Sequence, residues 1–333
     1  MKVIILCLLM ASTMLQAKEV DQFMSWDVSL EDSTEQVNNF YNDLIGKFVK
    51  KNHKAGRGGS PACGWSIFKL SMNINGLYSK NTLGFFKENE NISAFPTWKM
   101  TYEDFYKKSI FRDIKMFHPD LGRIIKINGI QMGTDKIAHF FGMGFLYWLK
   151  YKVVYNTNKR KLGHEAAHMK AINSAIDLGI KSEKGLIGWK SQQTASFADL
   201  EANYHGLKFY LDFCMGENPI VRAEKVEGKR RKRWVVNRPF DISEYVNPWW
   251  DESFYSNLYT PEGFSAVRPY MLSYCEQRQS DVVVSRFDYY RNNFEPTHNT
   301  NYVSNLIETG ELEDNYLHSI DYVCAEENSQ VQK

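Results

Sequence analysis

The sequence is short of net charge, of cysteine and of long apolar runs, and each shortage removes a class of function. Its 41 Lys and Arg against 39 Asp and Glu leave a formal charge of +2. Bulk charge therefore gives no case for a nucleic-acid partner. Beyond the first residues no stretch offers the ~18 uninterrupted apolar residues of a membrane span. The best candidate, Ile137 to Leu149, is too short and contains His139, so no transmembrane segment is expected in the mature chain. The five cysteines include no CxxC pair, which argues against a thiolate zinc site. There is no internal repeat. Gly56-Arg57-Gly58-Gly59 lacks the spacing and the following Lys-Ser/Thr of a phosphate loop and reads as a turn. Ser191 and Ser196 have no nucleophile-elbow context, which leaves a serine hydrolase without support.

The N-terminus is where apolar residues do gather. Met1 to Ala17 carries a lone Lys2, an apolar run from Val3 to Met10 and a small residue at Ala17, the pattern of a secretory signal cleaved after Ala17. Cys7 lies too early, and Leu6 before it is too large, for a lipoprotein cleavage site. A periplasmic or secreted protein is expected. Cleavage leaves about 316 residues and a formal charge of about +1, enough chain for a sizeable core. We expect a single globular domain over 18–324, with a helical core around 133–211 and a disordered polar tail over 325–333. Four cysteines remain, Cys63, Cys214, Cys275 and Cys324. In an exported chain they allow two disulfides in three connectivities, or one bridge and two free thiols.

The fold class expected is mainly α, a central antiparallel helix bundle with small β-hairpins in the flanking segments. A helix beginning at Ser29 or Asp32 would place Val37, Phe40, Tyr41, Leu44, Ile45, Phe48 and Val49 on one stripe. Ala55 to Gly64 reads as a loop, Ile67 to Leu77 as a strand or short helix, and Lys87 to Thr97 as a surface loop. Tyr102 to Phe117 reads as a helix. Asn128-Gly129, between Arg123–Ile127 and Ile130–Met132, suits the type I′ turn of a hairpin. Val221 to Val236 alternates and carries Lys229-Arg230-Arg231-Lys232-Arg233, a solvated hairpin tip or edge whose charges discourage sheet-to-sheet pairing. The same run could attract an anionic envelope polymer or lipid surface. Trp249-Trp250-Asp251-Glu252 would cap a core or offer a sugar-stacking platform. Pro269 to Gln277 and Tyr302 to Ile307 read as short helices.

Gly133 to Tyr210 is the organising stretch, read as three successive helices. Asp135 and His139 are four apart and share one helical face near a helix start, with Thr134 as N-cap. Asp199 and Asn203 repeat that spacing on the third helix, with Ser196 as cap. Glu183 ends the middle helix. Folded up-down-up, the three helices bring Asp135, His139, Glu183, Asp199 and Asn203 to one end of the bundle. Carboxylates, an imidazole and an amide in an apolar setting must hydrogen-bond one another or bind an ion. They can serve as an acid/base set, or His139, Asp135 and Asp199 can ligate a divalent metal such as zinc. The alternative is a structural network that fixes helix register.

His164-Glu165-Ala166-Ala167-His168 is a literal HExxH, in which His164 and His168 would be zinc ligands and Glu165 the general base. It lacks the downstream Gly and third His of the metzincins, and Glu201 is the one tempting third ligand. His168 precedes Glu183 by 15 residues, about 22 Å along a continuous helix, at the wrong end of the bundle for the Asp135 cluster unless Gly179 kinks the helix. His205 and Glu201 read as an exposed i,i+4 pair. His53, His118, His298 and His318 fall in apparent loops or termini.

The pattern Asp135-Lys136-x-x-His139-Phe140, then a Glu-bearing helix, then Asp199-Leu200-x-Ala202-Asn203-x-x-Gly206 resembles the VanZ-like proteins. It is similar also to a group of exported bacterial proteins sharing DKxxHF and DxxAN motifs. The resemblance spans Thr134 to Tyr210. It implies that Asp135, His139, Asp199, Asn203 and Gly206 occupy signature positions, with Glu183 carried over more loosely. VanZ itself is a membrane protein linked to glycopeptide resistance, and this chain departs from it in lacking a membrane span. The expectation is an exported cell-envelope protein, a hydrolase of cell-wall glycan or lipid. The alternatives are an HExxH zinc metallopeptidase and a non-catalytic structural envelope protein.

Overall fold

The computed structural model describes residues 19–331 apart from 53, 57–59, 76–83, 87–88, 98, 115–120, 186 and 229–230. The expected signal peptide, His53, His118, Lys229 and Arg230 lie outside the described residues. The fold is mainly α with small antiparallel sheets, as the periodicity predicts.

Helix α1 (Thr34–Lys51) buries Val37, Tyr41, Leu44, Ile45, Phe48 and Val49 along the expected stripe. Strand β1 (Lys54–Gly56) follows, then α2 (Ser60–Asn75), so the helix rather than the strand holds Ile67 to Asn75. Strand β2 (Ala94–Phe95) lies inside the stretch expected to be a surface loop. Helix α3 is short, Tyr102–Lys108, where a helix to Phe117 was expected. Its C-cap Ser109 is extended, and Ile110 and Ile114 are buried from turns instead. The Asp21 carboxylate accepts the Ile110 N–H at 2.7 Å, a tertiary contact that no local pattern encodes.

Strands β3 (Ile124–Ile127) and β4 (Ile130–Gly133) form the expected hairpin. Asn128 and Gly129 sit at φ of 51° and 77°, the pair of positive values that a type I′ turn demands. Strand β4 runs straight into α4 (Asp135–Leu162). Thr134 is itself helical and makes no side-chain cap, a correction to its expected role. Its N–H is instead held by the Arg123 carbonyl at 2.7 Å, because hairpin and helix are joined without a loop.

A one-residue break at Gly163 (φ 81°) turns the chain into α5 (His164–Glu183). After the short α6 (Trp189–Gln192) and strand β5 (Thr194–Ala195) comes α7 (Phe197–Asp212). Helix α7 and the first half of α4 are buried on nearly every face, the mark of central helices surrounded by others. They run parallel, with α5 antiparallel to both. Their backbones meet where Gly144 faces Gly206, and Tyr210 donates to the Phe141 carbonyl at 2.7 Å. The up-down-up arrangement is the one the sequence pattern required.

Around this bundle, β6 (Val221–Lys225) and β7 (Lys232–Val236) pair antiparallel, and β1 adds to β7. Strand β8 (Leu258–Tyr259) pairs with β5. Trp250 is fully buried, so this tryptophan belongs to the core rather than to a sugar platform. Helix α8 (Pro261–Met271) contains Pro269 near its end, where a helix starting at Pro269 was expected. The short α9 (Cys275–Arg278) follows, then α10 (Asp281–Asn293) and α11 (His298–Glu308). Helix α12 (Ile320–Val331) continues through most of the stretch expected to be a disordered tail. Of the three connectivities open to the cysteines, the chain uses Cys63–Cys214 and Cys275–Cys324. One continuous apolar core reaches from Phe23 to Cys324. No helix among the described residues is long and apolar enough to cross a membrane.

Candidate metal centre

Asp135, His139, Glu183, Asp199 and Asn203 do converge at one end of the bundle, and all five are buried. The helix starts explain why. Asp135 and His139 lie in the first turns of α4, and Asp199 and Asn203 in the first turns of its parallel neighbour α7. Glu183 is the last residue of antiparallel α5. The Ser196 hydroxyl caps α7 by accepting the Asp199 N–H at 3.2 Å, as expected.

Three further residues belong to the cluster and were not singled out from sequence. Lys136, fully buried, places its ammonium 2.6 Å from Asp135 Oδ2 and 2.7 Å from Asp199 Oδ1, and it also contacts Glu252 Oε1. Glu252 reaches in from the loop after Trp250. It accepts from Ser196 Oγ at 3.2 Å and from Asn257 Nδ2 at 2.9 Å. Glu19 buries its carboxyl within electrostatic reach of Glu252, Asp199 and Lys136. Lys136 was visible inside the Asp-Lys motif, but the helical spacing argument weighed only positions four apart. Glu19 and Glu252 come from loops far away in sequence, and nothing periodic marks them.

The charge balance is lopsided. Five carboxyl groups share one ammonium and one imidazole in a solvent-excluded site. Burial pushes the Glu183 and Glu19 carboxyls well above the usual range, and neighbouring carboxylates push them further. Burial raises Asp135 as well, against the opposing pull of Lys136. Burial alone would lower Lys136, but Asp135, Asp199 and Glu252 outweigh it and hold the ammonium well above its ordinary value.

His139 adds a ring nitrogen to this balance. Its Nδ1 lies 3.2 Å from Asn203 Oδ1, and a carbonyl oxygen only accepts, so Nδ1 carries the proton. In neutral His139, Nε2 then presents a lone pair to Asp199 Oδ2 at 3.1 Å, without hydrogen-bond geometry. Two lone pairs at that distance repel unless a cation or a second proton lies against both. Two tetrahedral zinc ligands with bonds near 2.0 Å are separated by roughly 3.3 Å. Asp135, His139 and Asp199 each offer a ligand atom, all within 4.8 Å of one another, and this mixed nitrogen and oxygen set suits zinc or a similar divalent ion. Asp135 Oδ1, Glu183 Oε1 and Asn203 Nδ2 are buried without hydrogen-bond partners. In a finished structural network such atoms are satisfied.

The HExxH pair is not brought together with this centre. His164 and Glu165 are exposed and His168 is half-buried. The two imidazoles use Nδ1 on Tyr155 and Tyr151, each at 2.7 Å. No described carboxylate or histidine completes a metal set with them. Glu201, the tempting third ligand, is fully buried and occupied. It accepts from His205 and Asn247 on one oxygen and from Thr297 and Asn299 on the other, all between 2.8 and 2.9 Å. Glu201 and His205 are therefore a buried pair that ties α7 to α11, not the exposed pair expected.

No family model matches the chain, and no curated protein or solved structure matches it either.

Proposed function

We propose that this chain is an exported cell-envelope protein, allied to the VanZ-like proteins through its DKxxHF and DxxAN motifs. Its bundle-end centre binds a divalent metal ion through Asp135, His139 and Asp199. The observation that carries the metal assignment is the facing pair His139 Nε2 and Asp199 Oδ2 at 3.1 Å, a separation that suits two ligands of one divalent ion. A metal there would acidify a bound water and polarise an ester, amide or phosphoryl oxygen. Burial and the neighbouring Asp199 push the Glu183 carboxyl up, which suits it to a general-acid role beside the metal. This chemistry fits a hydrolase of cell-wall glycan or lipid. The exposed positive side chains of Arg231, Lys232 and Arg233 on and beside β7 would meet the anionic surface of such material.

A specific observation favours a second reading, a non-catalytic centre that fixes helix register. Lys136 already contacts three carboxylates, and the cluster is closed to solvent. In that case His139 is an imidazolium paired with Asp199. Metal content of the mature protein, measured beside His139→Ala and His168→Ala, separates the two. One equivalent of metal that disappears with His139→Ala and persists with His168→Ala supports the metal centre. No metal in the wild-type protein at neutral pH leaves the structural ion network. Activity on isolated envelope material, lost with Glu183→Gln and Asp199→Asn, then tests the hydrolase.

A further inference from the structure

Trp65 is 59 % exposed, more than any other tryptophan among the described residues. A single exposed aromatic is ordinary, but the setting of this one is specific. Its ring lies flat on Phe68, with centroids 5.4 Å apart and planes at 7°. The start of α2 that carries it is tied to the region after α7 by the Cys63–Cys214 bridge. The indole is therefore held in place before any ligand arrives, which lowers the ordering cost of binding. Trp65 also opens a face of α2 that continues at i+4 and i+8 with Lys69 and Asn73, all three exposed. On α1, Asp43, Lys47 and Lys51 repeat the same spacing and are exposed too.

A groove of about 270 Å3 runs beside these two faces, with Phe40, Leu44 and Phe48 as its apolar lining and the α1 row and Asn73 as its polar edges. At the Lys51 end, Lys69 donates to Asn52 at 3.3 Å, and its ammonium stands 5.4 Å from the centre of the Trp65 ring. Groove and indole thus form one track. Three lysines line it against one carboxylate, and Asp43 is already paired with Lys47 at 2.6 Å. Beyond Lys51 the chain enters β1, where Lys54 lies opposite Arg233, so positive charge continues to the basic edge of β7. Lysines four residues apart recur about every 6 Å along a helix, a step that a polymer with regularly repeated negative charge can follow. A concave track takes a strand rather than a flat bilayer, and an aromatic surface with a few polar groups around it suits a sugar ring. We infer that the α1–α2 groove and Trp65 bind a strand of anionic glycan, with the indole stacked on a sugar ring and Lys47, Lys51 and Lys69 meeting its carboxylates. Such binding gives the proposed envelope function its substrate class and rests on that reading for the choice of polymer, but it needs neither metal nor catalysis.

The test titrates cell-wall glycan strands stripped of their peptides, which bear carboxylates on alternate sugars, into the mature full chain with EDTA present. The wild-type protein should bind them, and added salt should weaken the binding. Trp65→Ala and Lys51→Glu should each weaken it about 10-fold or more. Both side chains are exposed, so the thermal midpoint of each variant should stay at the wild-type value. A chitin oligomer of the same length keeps the sugar ring without the charge and should bind about 10-fold more weakly than the stripped strands. Equal affinity in the wild type and both variants, or equal affinity for the chitin oligomer, overturns the inference. So does binding to phosphatidylglycerol vesicles in place of the strands, or a dimer of this chain that Trp65→Ala dissolves. Strand binding by a protein that takes up no metal strikes the metal proposal alone, whereas a metal-loaded centre without strand binding strikes the groove alone.

Discussion

Gly144 and Gly206 meet without a side chain between them. A Cβ on Gly144 would lie 2.5 Å from the Gly206 Cα, and one on Gly206 would overlap the Phe140 carbonyl oxygen. This contact sets how far apart the two parallel helices stand, and so how near Asp135 and His139 come to Asp199 and Asn203. Gly144→Ala should separate the helices and cost about 1–3 kcal/mol or more by overpacking. Thermal unfolding reads the loss. A wild-type midpoint would mean that the helices are not held at this distance.

Lys136→Met removes the one buried ammonium from among its three carboxylates and should cost about 3–5 kcal/mol at pH 7. The deficit has a direction in pH. Burial already raises the Asp135 carboxyl against the pull of Lys136, so without the ammonium the folded state holds that proton more tightly and acid stabilises the variant relative to the wild type. Urea unfolding at pH 5 and pH 7.5 should show the gap narrowing at the lower pH. An equal gap at both would mean that the carboxyls are not what Lys136 neutralises.

Asp21 gives a separable pH signature. Burial pushes its carboxyl up to about 7, against the backbone hydrogen bonds from Ile110, Met24 and Phe23. The folded chain therefore binds this proton more tightly than the unfolded chain. The contribution is complete below pH ~3.9 and is lost as pH rises towards 7. Asp21→Asn retains an acceptor for Ile110 and carries no charge. Stability of the wild type relative to Asp21→Asn should fall by up to roughly 4 kcal/mol between pH 4 and pH 7. A difference independent of pH would refute the assignment.

The Cys275–Cys324 bridge closes a loop with a sequence separation of 49 and fastens α12 to the body of the protein. Replacing both cysteines with serine should cost about 4 kcal/mol by the chain-entropy relation. Helix α12 should become the first site of proteolysis. Cleavage elsewhere first would show that packing of Ile320 and Val323, rather than the bridge, holds it.

Local rules recovered the bundle because they were strong there. The Asn128-Gly129 turn, the stripe of α1 and the i,i+4 pairs on α4 and α7 are all written within a few residues. The convergence of Asp135, His139, Glu183, Asp199 and Asn203 then followed from antiparallel packing alone. What stayed hidden depends on distance in sequence. Helix α3 ends early because Ile110 is claimed by Asp21. Glu19 and Glu252 enter the cluster from loops without a periodic signal. Glu201 looked like half of a surface pair because its partners Asn247, Thr297 and Asn299 come from segments that no helical wheel includes.

The positions gathered in the centre run from Glu19 to Glu252, so the cluster has no local precursor. The α4–α5 hairpin and the β3–β4 turn can form early from contacts between near neighbours, whereas the ion cluster requires loops closed across most of the chain. Loop-closure entropy therefore places its assembly late in the expected order of folding. A partly folded chain with native-like helices would still lack the assembled cluster, so burial of Lys136 among its carboxylates would report completion of the native structure more strictly than helix content does.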